Sequence, residues 1–89
     1  MTHSLIGFAS TENSINTQYI KNQLQAIEDA IPGLTTEFAN QHDTRLRSLV
    51  KRADRLPCIV LLKNNTRKAV IHGKLDTNYA IKWTKGHIG

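Results

Sequence analysis

The feature of the sequence most suggestive of chemistry is Pro57-Cys58, where the only cysteine follows a proline at the head of the apolar run CIVLL. A thiol acts as a nucleophile only as the thiolate, so it needs an accessible site that lowers its pKa. Side-chain alternation along a strand puts Cys58 in one row with Val60 and Leu62, facing a covering helix. A thiol buried among apolar neighbours has a raised pKa and is inert. We therefore predict that Cys58 packs in the core, and a reactive single-cysteine role is the alternative.

The remaining candidate groups form no catalytic or metal-binding set. The four histidines are scattered with no two at ligand spacing, and one cysteine cannot complete a structural zinc site. His42-Asp43 would suit an acid–base pair, but no nucleophile with supporting geometry accompanies it. Tyr79 and Trp83, four residues apart, are expected to pack on a sheet. We predict no catalytic residue, no metal and no cofactor.

Charge is divided unevenly along the 89 residues. The net charge is +5, with −4 in residues 1–43 and +9 in residues 44–89. A basic second half suits an anionic partner, either nucleic acid or an acidic protein surface. It equally suits copies of the chain meeting acidic face to basic face. Charge alone does not choose among these partners.

The most basic segment is predicted to be a short amphipathic helix that starts at Asp43 or Thr44. Arginine side chains bind phosphates or carboxylates bidentately, although a solvated helix face has the same composition. The segment has no aromatic residue to stack on bases. The candidate partner-binding residues are Arg45, Arg47, Lys51, Arg52 and Arg55. Three bases around a hairpin turn would extend this surface, namely Lys63, Arg67 and Lys68.

Hydrophobic spacing predicts seven elements in the order strand, helix, strand, helix, strand, strand, helix. A short apolar strand precedes a helix of about four turns. In this helix apolar residues from Ile15 to Ile31 recur at helical spacing, and Pro32-Gly33 ends the pattern. LTTEFAN and CIVLL are the next strands, KNNT is a hairpin turn, and RKAVIHG is the antiparallel partner. Asp76 caps the last helix and Gly86 is placed to end it. The layout is α/β, with a parallel βαβ first half and an antiparallel second half.

Residues 49–86, LVKRADRLPCIVLLKNNTRKAVIHGKLDTNYAIKWTKG, resemble the C-terminal half of thioredoxin-like domains. The element order extends this resemblance over nearly the whole chain. It implies one domain over residues 1–89, a three-layer α/β sandwich with a four-stranded mixed sheet and flanking helices. In that family the proline before the third strand is cis and faces the active site. Leu56-Pro57 matches it, so the resemblance implies a structural cis-proline at Pro57.

The motif that carries the chemistry of that family is missing. Its members use Cys-x-x-Cys at the start of the first helix, where the helix N-terminus and the partner thiol lower a sulfur pKa. Here the corresponding residues 13–16 are NSIN. Serine and asparagine cap helices but form no mixed disulfide, so the resemblance transfers the fold and not dithiol exchange.

These observations together favour a non-catalytic structural or protein-interaction module. We expect a small subunit of a larger assembly, such as a phage particle, whose partners are other protein subunits or its own copies. A single-cysteine redox protein and a basic nucleic-acid-binding module are the alternatives. The sequence has no signal peptide and no run of about 18 apolar residues, which predicts a cytoplasmic or virion protein without a membrane partner.

Overall fold

A computed structural model describes residues 3–88 and contains four strands and three helices. In chain order these are β1 (His3–Ala9), α1 (Ser14–Ala30), β2 (Thr35–Asn40), α2 (Thr44–Leu49), β3 (Cys58–Lys63), β4 (Thr66–His72) and α3 (Thr77–Ile88). The predicted order of elements is confirmed.

The strands form one mixed sheet in the order β2-β1-β3-β4. β1 pairs parallel with β2 and antiparallel with β3, and β3 pairs antiparallel with β4. Helices α1 and α3 contribute to the apolar cluster on one face of the sheet, and α2 contributes to the cluster on the other. The predicted three-layer arrangement is therefore confirmed, with β2 and β4 as its edges.

The two central strands supply both cores, because alternate side chains point to opposite faces. Leu61 of β3 packs beneath α1, whereas Val60 packs on the α2 side with Phe8. Gly7 lies beneath α1, where a methyl group would come within 2.6 Å of Ile20 and 2.8 Å of Leu24. Only glycine lets α1 approach β1 so closely.

The turns match the residues predicted to form them. Asn64 and Asn65 both have positive φ, 53° and 66°, in the hairpin between β3 and β4. Asparagine tolerates this left-handed region better than most residues. Gly73 (φ 93°) follows β4, and its amide donates to the carbonyl of Pro57 at 2.9 Å. The Leu56–Pro57 peptide bond is cis, as the resemblance implied.

The prediction that one helix carries all five bases is wrong. α2 ends at Leu49, and Val50 follows with extended backbone (φ −124°, ψ 120°) and a side chain only 2% exposed. A six-residue helix has little intrinsic stability, so burying this β-branched side chain decides the backbone conformation. Lys51, Arg52 and Arg55 lie in the turns that follow.

Two side chains assigned to apolar helix faces lie in solvent instead. Ile15 is 71% exposed and Tyr79 is 54% exposed. At about 100° per residue, Ile15 lies about 180° around α1 from the buried Leu24. Tyr79 lies about 140° around α3 from the buried Thr84. Ile15 is therefore on the far side of α1, and Tyr79, in the first turn of α3, points away from the buried Thr84.

The last helix also continues past the expected stop. α3 runs through Gly86 to Ile88, because a single glycine weakens a helix without breaking it. None of the helices within residues 3–88 is long and apolar enough to cross a membrane.

Candidate functional site

The loop between β1 and α1, where the resemblance places redox cysteines, is occupied by capping groups. Asn13 accepts from the Asn16 amide at 3.0 Å and is the N-cap of α1. The Ser10 carbonyl accepts from the Asn13 amide at 3.0 Å and from the Thr17 hydroxyl at 2.9 Å. Gln41 joins the loops after β1 and β2, because its Oε1 accepts from the Thr11 amide at 2.9 Å. These contacts stabilise the turn and the helix start, and none supplies a thiol.

Cys58 is fully buried in the cluster on the α2 side of the sheet. It stands opposite Phe8 in the β1–β3 register and shares its face with Val60 and Leu62. Removal from water disfavours the thiolate and raises the pKa of Cys58 to about 12. The prediction that this cysteine packs in the core is confirmed.

No group of three metal-ligating side chains comes together within residues 3–88. His3 is buried at the start of β1, and its Nε2 has no hydrogen-bond partner among the residues that the structure describes. Burial, together with Lys68 and Lys63, lowers the pKa of His3. The imidazole is therefore held toward its neutral form.

Arg45 is separated from the other candidate bases by its ion pairs. Its Nη1 donates to Glu37 Oε1 at 3.2 Å, and its Nη2 also contacts Glu37 Oε2. Its Nε donates to Asp43 Oδ1 at 3.0 Å and its Nη2 to Asp43 Oδ2 at 2.8 Å. These hydrogen bonds raise the pKa of Arg45 and lower that of Glu37. Arg45 thus joins β2 to the start of α2 and has less capacity for a partner.

Asp43 is the N-cap of α2 as well as a partner of this arginine. Its Oδ1 accepts from the Arg45 amide at 2.9 Å. The hydrogen bonds from the Arg45 side chain, followed by that from its amide, lower the pKa of Asp43 to about 2. The carboxylate is therefore charged wherever the protein is ordinarily handled.

Three of the other predicted bases lie together in a cavity of about 360 Å³. We call it the basic cleft, and its lining residues are Lys51, Arg52, Arg55, Arg67, Val70 and His72. Arg47 is exposed and does not line it. From the sequence, Arg67 is predicted only to extend the basic surface, and His72 and Val70 are not predicted to contribute to it. Their period-two spacing along β4 was the signal that could have placed them on one face.

A second connection that the sequence did not reveal lies between α1 and the loop before α3. The Tyr19 hydroxyl donates to the Leu75 carbonyl at 2.6 Å and also accepts from the Leu75 amide. Gln23 Nε2 donates to the same carbonyl at 2.6 Å. Two α1 side chains thus fix the loop that follows Gly73.

The sequence matches no model of a known protein family and no curated protein. Among solved structures it is similar to thioredoxin-2 of the malaria parasite, described as a component of its protein secretion machinery. The identity is 20% over 97% of this chain and 84% of that one, with a TM-score of 0.72. Fasciola hepatica thioredoxin is 12% identical over 96% of this chain and 80% of that one, with a TM-score of 0.73.

A structure described as a malarial protein is similar over the full length of both chains, with 20% identity and a TM-score of 0.71. At such identities the likeness concerns the fold alone. The chain has a thioredoxin-like fold with a single cysteine and no Cys-x-x-Cys motif. The expected fold and the missing motif are both confirmed.

Proposed function

We propose that this chain is a redox-inactive thioredoxin-like domain that serves as a protein-interaction module. The observation that carries the proposal is the location of its only thiol. Cys58 lies in the core with its pKa raised to about 12, while residues 13–16 carry amide and hydroxyl groups at the site of the redox motif. Dithiol exchange needs an accessible thiolate and a second thiol to resolve the mixed disulfide.

The partner in this proposal is another protein subunit of a larger assembly such as a phage particle. Support comes from the charge of the second half, +9 over residues 44–89, which suits an anionic partner such as an acidic protein surface. The basic cleft gathers part of that charge at one place on the molecule. A cytoplasmic or virion location belongs to the same proposal.

A redox assay tests the first part of the proposal. We expect no turnover in reduction of an insulin disulfide by dithiothreitol above the uncatalysed rate, with a dithiol thioredoxin as the positive control. Native Cys58 should react with iodoacetamide at pH 8 orders of magnitude more slowly than free cysteine, because its thiolate fraction is only ~10⁻⁴ there. Turnover together with rapid alkylation of the folded chain would overturn the redox-inactive assignment.

Isolation from the native source tests the second part. The tagged chain, recovered under native conditions, should co-elute with stoichiometric protein subunits in a complex larger than 10.0 kDa. Recovery as a lone monomer, or as a complex that nuclease treatment disperses, would contradict the assembly proposal.

A further inference from the structure

We infer that the basic cleft and the adjoining edge strand β4 form a docking site for an acidic peptide segment in extended conformation. The inference rests on the proposed function, since it specifies how the module would bind a partner. The site combines a concentrated positive charge with a strand edge. The charge favours acidic side chains in the ligand, and the edge favours a ligand backbone in extended conformation.

Charge selects for carboxylates. Four of the six residues that line the cleft are cations and none is acidic. Lys51, Arg52 and Arg55 belong to one wall, and Arg67 belongs to β4, so a ligand would meet positive charge from two sides. All four side chains belong to exposed residues, and none of them forms a salt bridge within residues 3–88. Arginine is suited to bind carboxylate groups in a bidentate manner.

A β-bulge helps to set the β4 wall of the cleft. Cys58 pairs with His72 and Val60 with Val70, so His72 and Val70 face the α2 side of the sheet. The register shifts between Leu61 and Leu62, which puts Arg67 opposite Leu62. Leu62 also faces the α2 side. The bulge puts one extra residue into β4, and this turns the Arg67 side chain to the same face as Val70 and His72.

Two hydrogen bonds hold the other wall in place. Arg67 Nη1 donates to the Leu49 carbonyl at 3.2 Å, and His72 Nδ1 donates to the Arg55 carbonyl at 2.9 Å. They tie both ends of residues 49–55 to the two ends of β4. The cleft between them is therefore formed before any ligand arrives, which lowers the entropic cost of binding.

The strand edge selects for an extended backbone. β4 lies at the end of the strand order, so its outward amides and carbonyls pair with no other strand within residues 3–88. Such an edge accepts an added strand, whose backbone supplies affinity while alternate side chains enter pockets on one face. Acidic side chains at alternate positions of the added strand would point toward the cleft. The apolar Val70 gives its floor a surface that a nucleic-acid backbone does not match.

The composition of the cleft favours protein over nucleic acid. None of its lining residues is a phenylalanine, tyrosine or tryptophan, the residues on which single-stranded bases usually stack. Its volume of about 360 Å³ accommodates one or two side chains, rather than a track of successive phosphates. An acidic peptide in extended conformation therefore matches both the positive charge of the cleft and the unpaired backbone groups of β4.

Fluorescence anisotropy with synthetic peptides tests this site. The probe is a fluorescein-labelled peptide of about eight residues with alternating Glu and Thr, the length of an ordinary strand, measured at low ionic strength. We expect the R52E/R55E variant to bind at least about tenfold more weakly than the unchanged chain. The matched control K82E/K85E carries the same charge change on exposed positions of α3, and it should bind like the unchanged chain. Circular dichroism and Trp83 fluorescence verify that each variant is folded.

Two further ligands make the result decisive. A fully N-methylated peptide with the same side chains should lose binding, because it cannot pair with a strand edge. A single-stranded DNA of about twelve nucleotides should bind more weakly than the peptide. Equal binding by R52E/R55E, equal binding of the N-methylated peptide, tighter binding of the DNA, or no peptide binding would each overturn the inference. The proposed function is tested separately: turnover in the disulfide-reduction assay would overturn it, whether or not the peptide binds.

Discussion

At the residue scale, two potentially reactive side chains are constrained by their immediate surroundings. Cys58 is deprived of water in the core, which disfavours its thiolate. Arg45 is only partly buried, but Glu37 and Asp43 surround its guanidinium. Burial limits the thiol and ion pairing limits the guanidinium. Of the five candidate partner-binding bases, only Lys51, Arg52 and Arg55, in the turns after α2, line the basic cleft.

The Arg45 pairing predicts a small acid-dependent change in stability. Asp43 has a pKa of about 2 in the folded chain against an ordinary 3.8, so its contribution to stability is present above about pH 4 and is lost as pH falls toward 2. Asp43→Asn keeps an oxygen for the N-cap bond and removes the charge. The free energy of unfolding of the unchanged chain should exceed that of D43N by no more than about 1 kcal/mol at pH 6, because the pair is partly exposed.

Urea titrations at several pH values measure this difference. It should shrink between about pH 4 and pH 2, whereas Asp54→Asn, which changes an exposed carboxylate outside these ion pairs, should show no comparable pH dependence. A difference between D43N and the unchanged chain that stays constant down to pH 2 would exclude the ion pair as its source.

At the element scale, the close packing of α1 on β1 depends on the missing side chain at Gly7. Gly7→Ala should lower the free energy of unfolding by about 1–3 kcal/mol, because its methyl group would meet Ile20 and Leu24 inside van der Waals contact. Gly86→Ala is the matched control, since apart from its chain neighbours and its own helix backbone no atom of residues 3–88 lies within 4 Å of the added methyl group. It should instead stabilise the chain by about 0.5–1 kcal/mol through helix propensity. Chemical denaturation measures the free energy of unfolding of both variants. If G7A leaves it unchanged, α1 lies farther from β1 than described.

The loop before α3 depends on hydrogen bonds from α1. Tyr19→Phe removes the hydroxyl that contacts both the carbonyl and the amide of Leu75, and it should cost about 1–2 kcal/mol. Tyr79→Phe removes an identical hydroxyl from a side chain that is 54% exposed, and it should have almost no effect. Thermal unfolding followed by circular dichroism compares the two variants. Equal melting temperatures would show that the Tyr19 contacts contribute nothing to stability.

The elements could be predicted because their signals are local, whereas the site depends on how they meet. The apolar run of β3, the Asn64-Asn65 turn and the Asn13 cap are each visible in a few consecutive residues. The end of α2 is not, because the burial of Val50 against a distant sheet decides it. The pairing of Arg45 with Glu37 and the register shift beside Leu62 likewise arise only when strands and loops are assembled. For this reason the prediction that one helix carries all five bases was wrong, and only part of the basic cleft could be predicted.

At the scale of the whole molecule, one sheet separates two apolar clusters that share their central strands. Trp83 packs against the cluster on the α1–α3 side, and Cys58 lies in the cluster on the α2 side. Consecutive residues of β3 belong alternately to the two clusters, as Ile59 and Val60 show. Neither cluster can lose β1 or β3 without exposing the other, so we expect both faces to unfold in a single transition.

Urea titration of one sample with two probes tests this coupling. Trp83 fluorescence reports the α1–α3 side, and a short pulse of a thiol reagent reports exposure of Cys58 on the α2 side. The two midpoints should coincide, and Cys58 labelling should stay negligible below the transition. Val50→Ala removes apolar contact only on the α2 side, yet it should lower both midpoints equally, by the equivalent of about 1–3 kcal/mol. The α2 face is covered only by six helical residues and the turns after them, which makes local opening of this face the competing outcome. Labelling of Cys58 at urea concentrations that leave Trp83 fluorescence unchanged would show such opening and contradict a single transition.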